Sequence, residues 1–242
     1  MRSGLSSQLA QNKQMTVLPI ENIQVVSFDA ARTLIHLRDP VGVTYAAVAQ
    51  RFGLNLDPAL ITKAFIAAWR RVPPPPSVEG PRTDDGRNWW ETVVRETMRE
   101  AGYTIPEFSA YFSTLYDEFT RPGIWYLEPG TKELLADLRN AGYRLGVLSN
   151  FDRRLYRILD QLGIGELFEQ IVISSEVGAD KPDPRIFREL VKRFGVSPEK
   201  MLHVGDDPLM DGEAARGTGL HAFVIGVDGT GLNDLHCLLR TP

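Results

Sequence analysis

Val25-Val26-Ser27-Phe28-Asp29-Ala30-Ala31-Arg32-Thr33-Leu34 is the stretch of sequence that decides the fold. An apolar run reaches Phe28, and the carboxylate of Asp29 follows at once. A short apolar run that ends in a change of composition predicts a buried strand. Asp29 is then expected at the carboxyl end of this strand, which is the edge of an open α/β sheet where ligands bind. A single Asp after a strand is weak evidence, because some such residues are only helix caps, so the interpretation depends on the other strand ends.

Strands and helices alternate over the second half of the chain. Apolar runs predict further strands at 144–148, 171–173, 201–204 and 222–225. Helical spacing of apolar residues predicts intervening helices, among them 131–141 and 184–194. This alternation predicts an α/β fold with a Rossmann-like, doubly wound parallel sheet and right-handed crossovers.

Helical spacing also occurs four times between the first two predicted strands, with no strand signal among them. These helices are expected at 41–52, 58–71, 88–101 and 109–119. A run of four prolines at 73–76 must end the second helix and predicts a stiff surface connector. We therefore predict a flexible leader at 1–20, a core formed by 21–38 and 128–242, and an inserted all-helical cap domain at 39–127.

Composition excludes several classes of function. The 242 residues are 43% hydrophobic and 24% charged, as in a soluble globular protein. The net charge of −4 and the lack of a basic block argue against nucleic acid as a partner. No apolar run approaches the roughly 18 residues that span a membrane. A single cysteine, Cys237, excludes an intrachain disulfide and favours a reducing, cytoplasmic location. The oligomeric state cannot be predicted from the sequence.

Chemically active side chains follow each of the first four predicted strands of the sheet. Because parallel strands end at one edge, we expect these groups to converge. Carboxylates suit Mg²⁺, whereas a hydroxyl, a backbone amide and an ammonium suit a phosphate or phosphonate. An Asp can also act as a nucleophile that forms an aspartyl-phosphate. The residues are Asp29, Ser149, Asn150, Lys181, Asp206, Asp207 and Asp211.

Four stretches of the chain resemble motifs I to IV of the haloacid dehalogenase superfamily, in order and in spacing. They are Asp29-Ala-Ala-Arg-Thr33, Leu148-Ser149-Asn150, Lys181-Pro182 and Gly205-Asp206-Asp207-Pro-Leu-Met-Asp211. The helical insertion is similar to the C1 cap of that family. The Trp89-Trp90 pair with Gly86-Arg87 is similar to one subgroup, haloacid dehalogenase-like hydrolase domain-containing protein 3.

The resemblance implies a Mg²⁺-dependent hydrolase that acts on a small phosphorylated metabolite through an aspartyl-phosphate. Asp29 would be the nucleophile and a metal ligand, together with the backbone carbonyl of Ala31 and the carboxylate of Asp206. Asp211 would bind the metal or hold the groups around it. The phosphoryl group would be bound by Ser149, Asn150 and Lys181, and Lys181 would also neutralise the charge of Asp29. The residues expected to line the cleft are Arg32, Thr33, His36 and Asp207.

Ala31 departs from the family pattern. Phosphatases of this family carry a second Asp two residues after the nucleophile, which protonates the leaving oxygen and later activates water. Alanine can do neither, so activity is expected to be weakened or altered. One alternative is a non-catalytic protein that binds a phosphorylated ligand or a protein partner.

A further alternative is a phosphonatase-like hydrolase of C–P bonds. Phosphonoacetaldehyde hydrolases of the same superfamily carry Ala at the position of Ala31 and use a cap Lys as a Schiff base. Lys63 is the only Lys in the predicted cap, although its helix has ordinary amphipathic spacing. Arg32, in place of a small residue, can pair with a substrate anion or with cap carboxylates, and His203 is expected to be a core residue.

Overall fold

The computed structural model describes residues 22–239, without the side chains of 228 and 236–238. The predicted leader at 1–20 lies outside the described residues. Within them the strands are β1 (Val25–Phe28), β2 (Ile35–Leu37), β3 (Trp125–Leu127), β4 (Arg144–Ser149), β5 (Gln170–Ile173), β6 (Met201–Gly205) and β7 (His221–Val224).

The helices of the described residues fall into two groups. The first group follows β2 and comprises α1 (Val41–Gln50), α2 (Pro58–Arg71), α3 (Arg87–Glu100) and α4 (Phe108–Glu118). The second group is interspersed with the later strands and comprises α5 (Thr131–Asn140), α6 (Arg154–Gln161), α7 (Ser174–Val177), α8 (Pro184–Phe194), α9 (Ala214–Gly217) and α10 (Leu232–Leu239).

Five strands form one parallel sheet in the order β5-β4-β1-β6-β7. The chain starts in the middle of the sheet, adds strands on one side and then crosses to the other. The strand order therefore reverses next to β1, which is the position where doubly wound sheets bind ligands. The predicted α/β fold with a parallel sheet and a helical insertion is confirmed.

Apolar side chains cover both faces of the sheet and also form a separate core among α1–α4. One sheet face packs Val26, Phe28 and Leu135 with neighbours from α5 and α6, and the other packs Val25, Phe187 and Leu190. The third cluster contains Tyr45, Tyr111 and Phe112, among other residues of the helical region. Because α1–α4 bury their apolar faces against one another, they do not act as crossovers of the sheet.

β2 and β3 form a two-stranded antiparallel ribbon, which was not predicted from the sequence. Each strand has only three residues, which is too short for an alternating pattern to be recognised. The ribbon carries the chain from the end of β1 into the helical region and back. Its pairing joins residues 35–37 of the predicted core to residues 125–127 of the predicted cap. The division into core and cap at 38–39 and 127–128 stays a prediction.

Residues 77–85, here called the strap, connect α2 to α3 and pack against the carboxyl edge of the sheet. The Val78 amide donates to the Gly178 carbonyl at 2.8 Å, and the Arg82 amide donates to the Ser175 carbonyl at 2.7 Å. A Cβ atom on Gly178 would lie 2.2 Å from the Gly80 carbonyl oxygen, so a glycine is required for this approach. The connector predicted from the prolines is therefore followed by a segment that binds the core.

Arg154, at the start of α6, makes a second contact between the helical region and the sheet region. Its guanidinium carbon lies 3.5 Å from the ring centroid of Tyr116 and 5.5 Å from that of Trp90. The same guanidinium pairs with Asp152 at 2.6 Å. Cation–π contacts of this kind contribute about 0.5–2 kcal/mol each.

Candidate functional site

Asp29 stands where β1 ends. Its amide donates to the Val204 carbonyl of β6 at 2.8 Å, which extends the ladder by one residue. The chain then turns tightly, because the carbonyl of Ala30 accepts hydrogen bonds from the amides of Leu34 and Ile35 at 2.8 and 2.9 Å. This turn keeps Ala31 and Arg32 beside Asp29 at the carboxyl edge of the sheet.

Three carboxylates converge at this edge. Asp29, Asp206 and Asp211 each offer an oxygen within 4.8 Å of the others. Asp29 is 8% exposed and Asp211 is 1% exposed, whereas Asp206 is half-buried. Burial raises the pKa of Asp206, against the opposing effect of Arg32. Asp206 is thus the carboxylate of the three that is most open to solvent, and a bound cation would favour its charged form.

Lys181 lies between two of these carboxylates. Its Nζ donates to Asp29 Oδ1 at 2.7 Å and to Asp211 Oδ1 at 2.5 Å, and the residue is 4% exposed. Burial alone would lower the pKa of Lys181, but the carboxylates of Asp29 and Asp211 outweigh it and raise the pKa above its usual value. The ammonium is therefore charged, and it pairs with the carboxylates of Asp29 and Asp211.

Asn150 holds the backbone of Lys181. The Asn150 side-chain amide donates to the Lys181 carbonyl at 3.0 Å, and its oxygen accepts from the Lys181 amide at 2.6 Å. Ser149, the last residue of β4, is 2% exposed. The Asn150 side chain thus positions the backbone of Lys181, and both of its polar atoms are engaged within the protein.

Asp211 is held by a π-helical turn, Pro208–Glu213, of the kind that is frequent at functional sites. Its Oδ2 accepts from the Asp207 amide at 3.0 Å, while its Oδ1 lies 3.1 Å from His203 Nε2. A Cβ atom on Gly205 would lie 2.2 Å from the Asp211 carboxyl carbon, so glycine is needed where the strand passes this side chain. Both oxygens of Asp211 are therefore engaged within the protein.

His203 and Ser27 lie beneath the carboxylates on paired strands and were not predicted as site residues. Ser27 Oγ is 3.0 Å from His203 Nδ1, and both residues are fully buried. Burial lowers the pKa of His203, so the ring is neutral. Since a carboxylate only accepts, Nε2 carries the proton and donates to Asp211, and Nδ1 accepts from Ser27. The expected core histidine thus also orients a site carboxylate. Two polar residues at facing positions of two apolar strands were the available sequence signal.

The predicted cleft residues occupy different environments. Arg32 Nη2 pairs with Asp206 Oδ2 at 3.2 Å, and the side chain is 83% exposed. Thr33 is buried, and its hydroxyl has no hydrogen-bond partner within the described part of the chain. His36 lies on β2 with its ring centroid 5.6 Å from that of Tyr126. Asp207 accepts from the amides of Leu209 and Met210, which makes it the cap of the π-helical turn.

The donor set fits a hard divalent cation. Asp29 and Asp206 present carboxylate oxygens at one edge, and carboxylates with backbone carbonyls and water suit Mg²⁺. Asp211 offers less, because its oxygens are engaged by Lys181, His203 and the Asp207 amide. Asp29, Asp206 and the carbonyl of Ala31 would hold such an ion, with Asp211 holding the groups around it.

Replacing Lys181 with Met should lower the free energy of unfolding by about 3–5 kcal/mol without added metal. The substitution leaves the buried carboxylates of Asp29 and Asp211 without their shared cation, and loss of one partner of a buried pair has costs of this order. Urea unfolding of the variant and the wild type measures the difference. Lys192→Met, which removes an 81% exposed ammonium 3.7 Å from Glu189, should change stability by less than about 0.5 kcal/mol.

The pH dependence of this effect follows from the two pKa shifts. Hydrogen bonds from His203 and the charge of Lys181 outweigh burial and hold the pKa of Asp211 below its usual range. Its contribution is therefore complete above the unfolded pKa of about 3.9 and is lost as the pH falls through the folded value. The raised pKa of Lys181 gives a contribution that is complete below about pH 10.4 and is lost as the pH rises. Protonation of the uncompensated carboxylates relieves the variant in acid, so a difference that does not narrow as the pH falls toward about 4 would contradict this ionic network.

Residues 23–219 match the model of haloacid dehalogenase-like hydrolases. Haloacid dehalogenase-like hydrolase domain-containing protein 3 of Mus musculus is 38% identical over 84% of this chain and 82% of its own length. The protein of the same name from Homo sapiens is 36% identical, with the same coverage. The Rhythmically expressed gene 2 protein of Drosophila melanogaster is 30% identical over 85% of this chain and 84% of its own.

Solved structures share the fold. A putative HAD-hydrolase of Bacillus subtilis, described as bound to magnesium, superposes with a TM-score of 0.74 at 18% identity, over 91% of this chain and 100% of the other. A predicted phosphoglycolate phosphatase of Haemophilus somnus has a TM-score of 0.62 at 23% identity, over 87% of both chains.

These findings confirm the resemblance that the four motifs carry. Within residues 22–239, no helix combines the length and the apolar character needed to cross a membrane. The matches cover the strand ends at which Asp29, Lys181 and Asp206 meet, and they extend over most of the chain. The protein belongs to the haloacid dehalogenase-like hydrolases.

Proposed function

We propose that the protein is a Mg²⁺-dependent hydrolase that removes the phosphoryl group of a small phosphorylated metabolite through an aspartyl-phosphate on Asp29. The observation that carries this proposal is the meeting of Asp29, Asp206 and Lys181 at the carboxyl edge of the sheet, next to β1. Two carboxylates with a charged ammonium are the groups that phosphoryl transfer requires, since its catalysis depends on positioning and charge stabilisation.

Asp29 is the nucleophile of the proposed reaction. One of its oxygens attacks phosphorus and the bond to the leaving oxygen breaks, which transfers the phosphoryl group to Asp29. Water then attacks the aspartyl-phosphate, releases inorganic phosphate and restores the carboxylate. Lys181 stabilises negative charge on Asp29 and on the phosphoryl oxygens, and Ser149 with the amide of Asn150 binds those oxygens. A bound Mg²⁺ would supply further charge neutralisation at Asp29 and Asp206.

Ala31 is the reason to expect low turnover of unactivated substrates. Its side chain can neither protonate the leaving oxygen nor activate water for the second step. His36 is the imidazole that the predicted cleft offers in its place, but its ring packs against Tyr126 on the β2–β3 ribbon. The leaving oxygen would then take its proton from water, which favours substrates with good leaving groups.

Individual residues also favour or disfavour two other candidate functions. A non-catalytic protein that binds a phosphorylated ligand would keep Lys181 and Ser149, and Ala31 is the observation in its favour. Phosphonatase-like chemistry would need Lys63 in the cleft. Lys63 is exposed on α2, on the face opposite the buried Ile61 and Ala64, so this alternative has no support from its position.

The proposed cap, 39–127, would supply the contacts that select the metabolite. α1–α4 have a hydrophobic core of their own, and the strap reaches the loop that carries Lys181. A small substrate bound at Asp29 would lie between these two parts of the molecule. Nucleic acid has no place in this proposal.

Asp206→Asn should weaken Mg²⁺ binding by at least about tenfold and reduce Mg²⁺-dependent hydrolysis of an aryl phosphate. The substitution removes a negative charge and one hard oxygen from the proposed ligands. Isothermal titration calorimetry measures the affinity, and release of the phenol measures turnover. The matched control is Asp207→Asn. Asn also caps helical turns well, and Asp207 lies outside the carboxylate trio. Equal Mg²⁺ affinity in Asp206→Asn and Asp207→Asn would refute the assignment.

A further inference from the structure

Arg32 has a backbone conformation that an arginine rarely adopts. Its φ is 72°, and the only other described non-glycine residue with a positive φ is Asp85. A left-handed conformation costs an L-residue with a Cβ atom free energy that glycine does not lose. Packing does not offset this cost, because 83% of the Arg32 side chain is exposed. Strain of this kind at the edge of a site points to a function of the side chain.

The ion pair of Arg32 is too weak to explain the residue. Nη2 lies 3.2 Å from Asp206 Oδ2, but solvent reaches both partners and such pairs contribute little. Under the proposed function, Asp206 would also bind a divalent cation. The cation would then compete with the guanidinium for the carboxylate of Asp206. A guanidinium displaced from Asp206 would be free to bind another anion.

Arg32 also lines an open cleft of about 410 Å³ that begins at Asp206. The volume lies within the range of small-molecule sites. A short carbon chain can pack against the apolar side chains of Ile225 and Val227 in its lining, and the guanidinium of Arg32 supplies positive charge. The lining residues are Arg32, Asp206, Ile225, Gly226, Val227 and Thr230.

We propose that Arg32 binds a second anionic group of the substrate, so that the substrate is a short-chain phosphate ester that also carries a carboxylate or another acidic group. This inference rests on the proposed function, since it needs a phosphoryl group at Asp29. The planar guanidinium can form two parallel hydrogen bonds with a carboxylate or a phosphate. Asp206 adjoins both Arg32 and Asp29, so a short chain spans the two anion sites.

The test compares two non-hydrolysable ligands by calorimetry in the presence of Mg²⁺. 4-Phosphonobutanoate and butylphosphonate share the phosphonate and the carbon chain, and only the first carries a carboxylate in place of the methyl group. We expect the wild type to bind 4-phosphonobutanoate about 10–100-fold more tightly, as for a hydrogen bond between charged groups. Arg32→Gln should bring the ratio of the two affinities to within about threefold of one.

Two further variants complete the design. Arg32→Lys keeps the positive charge but lacks the planar guanidinium that forms two parallel hydrogen bonds, so its ratio of the two affinities should be intermediate. Arg157→Gln removes an exposed guanidinium from α6 and should keep the wild-type ratio. The inference is overturned if the wild type binds both phosphonates equally, or if Arg32→Gln keeps the preference. If neither phosphonate binds the wild type, the phosphoryl site itself is absent, and the proposed function fails together with the inference.

Discussion

Ala31→Asp should raise the turnover of an alkyl phosphate by roughly 10²–10⁴-fold, the contribution typical of a positioned general acid or base. The new carboxyl group would protonate the leaving alkoxide and later take a proton from the attacking water. An aryl phosphate should gain less, because its leaving group needs little protonation. Steady-state kinetics with both substrates on the wild type and the variant measure the two gains.

Ala31→Asn is the matched control for this prediction. It adds a side chain of nearly the same size and shape that cannot donate or accept a proton at neutral pH. Ala31 is partly exposed, so either side chain can be accommodated. Ordinary wild-type turnover of the alkyl phosphate, with no gain in Ala31→Asp, would mean that another residue is the acid. His36 would then be the first residue to test.

Asp29→Asn should reduce hydrolysis of an aryl phosphate by more than about 10³-fold and prevent any covalent phosphoenzyme. The amide is a poor nucleophile, and loss of the nucleophile removes the step on which the others depend. In the wild type, Ala31 should slow hydrolysis of the intermediate, so that the phosphoenzyme accumulates. Rapid acid quenching followed by mass spectrometry of the intact protein measures the phosphorylated fraction.

The control for Asp29→Asn is Asp39→Asn, which changes an exposed carboxylate ten residues further along the chain. It should keep both the turnover and the phosphoenzyme of the wild type. Lys181 retains Asp211 as a partner in Asp29→Asn, so the variant is expected to fold. Phosphonate binding by the wild type without turnover or phosphoenzyme would favour the non-catalytic alternative.

Helix α8 shows why much of the fold could be predicted from the sequence. Asp183 accepts from the Arg185 amide as the N-cap, Pro184 occupies the first turn, and Gly195 ends the helix with φ 65°. These are local signals whose physical cause lies within a few residues. The helix predicted at 184–194 agrees with the structure for this reason. The same holds for α2, where Asp57 caps the helix and Pro58 follows it.

The side-chain network of the site could be predicted only in part. The positions of Asp29, Lys181 and Asp206 after predicted parallel strands indicated that they would lie close together, because parallel strands end at one edge of a sheet. The contact of Ser27 with His203 depends on the register between β1 and β6, and the contacts of Asp211 with Lys181 and His203 depend on the π-helical turn. Such contacts are set by three-dimensional geometry and leave no periodic pattern in the sequence.

The contact of the strap with the sheet region could not be predicted either, because Arg82 and Asp180 are residue types that usually lie on the protein surface. The structure buries the pair with a separation of 2.6 Å and only 7% of the Arg82 side chain exposed. An ion pair cannot be recognised from the sequence when its partners are separated by almost a hundred residues. Its position next to Lys181 becomes visible only in three dimensions.

The strap adds further contacts between the helical region and the sheet region to the two chain crossings of the β2–β3 ribbon and the contacts of Arg154. Two adjacent connections would permit a hinge, about which the two parts could swing open. Rotation about that hinge would require Arg154 to leave Tyr116, Arg82 to separate from Asp180, and the Val78 and Arg82 amides to lose their acceptors. Since Asp180 directly precedes Lys181, the same separation would also loosen the backbone that holds the ammonium. Access to the carboxylates would thereby be coupled to the position of the charge beside them.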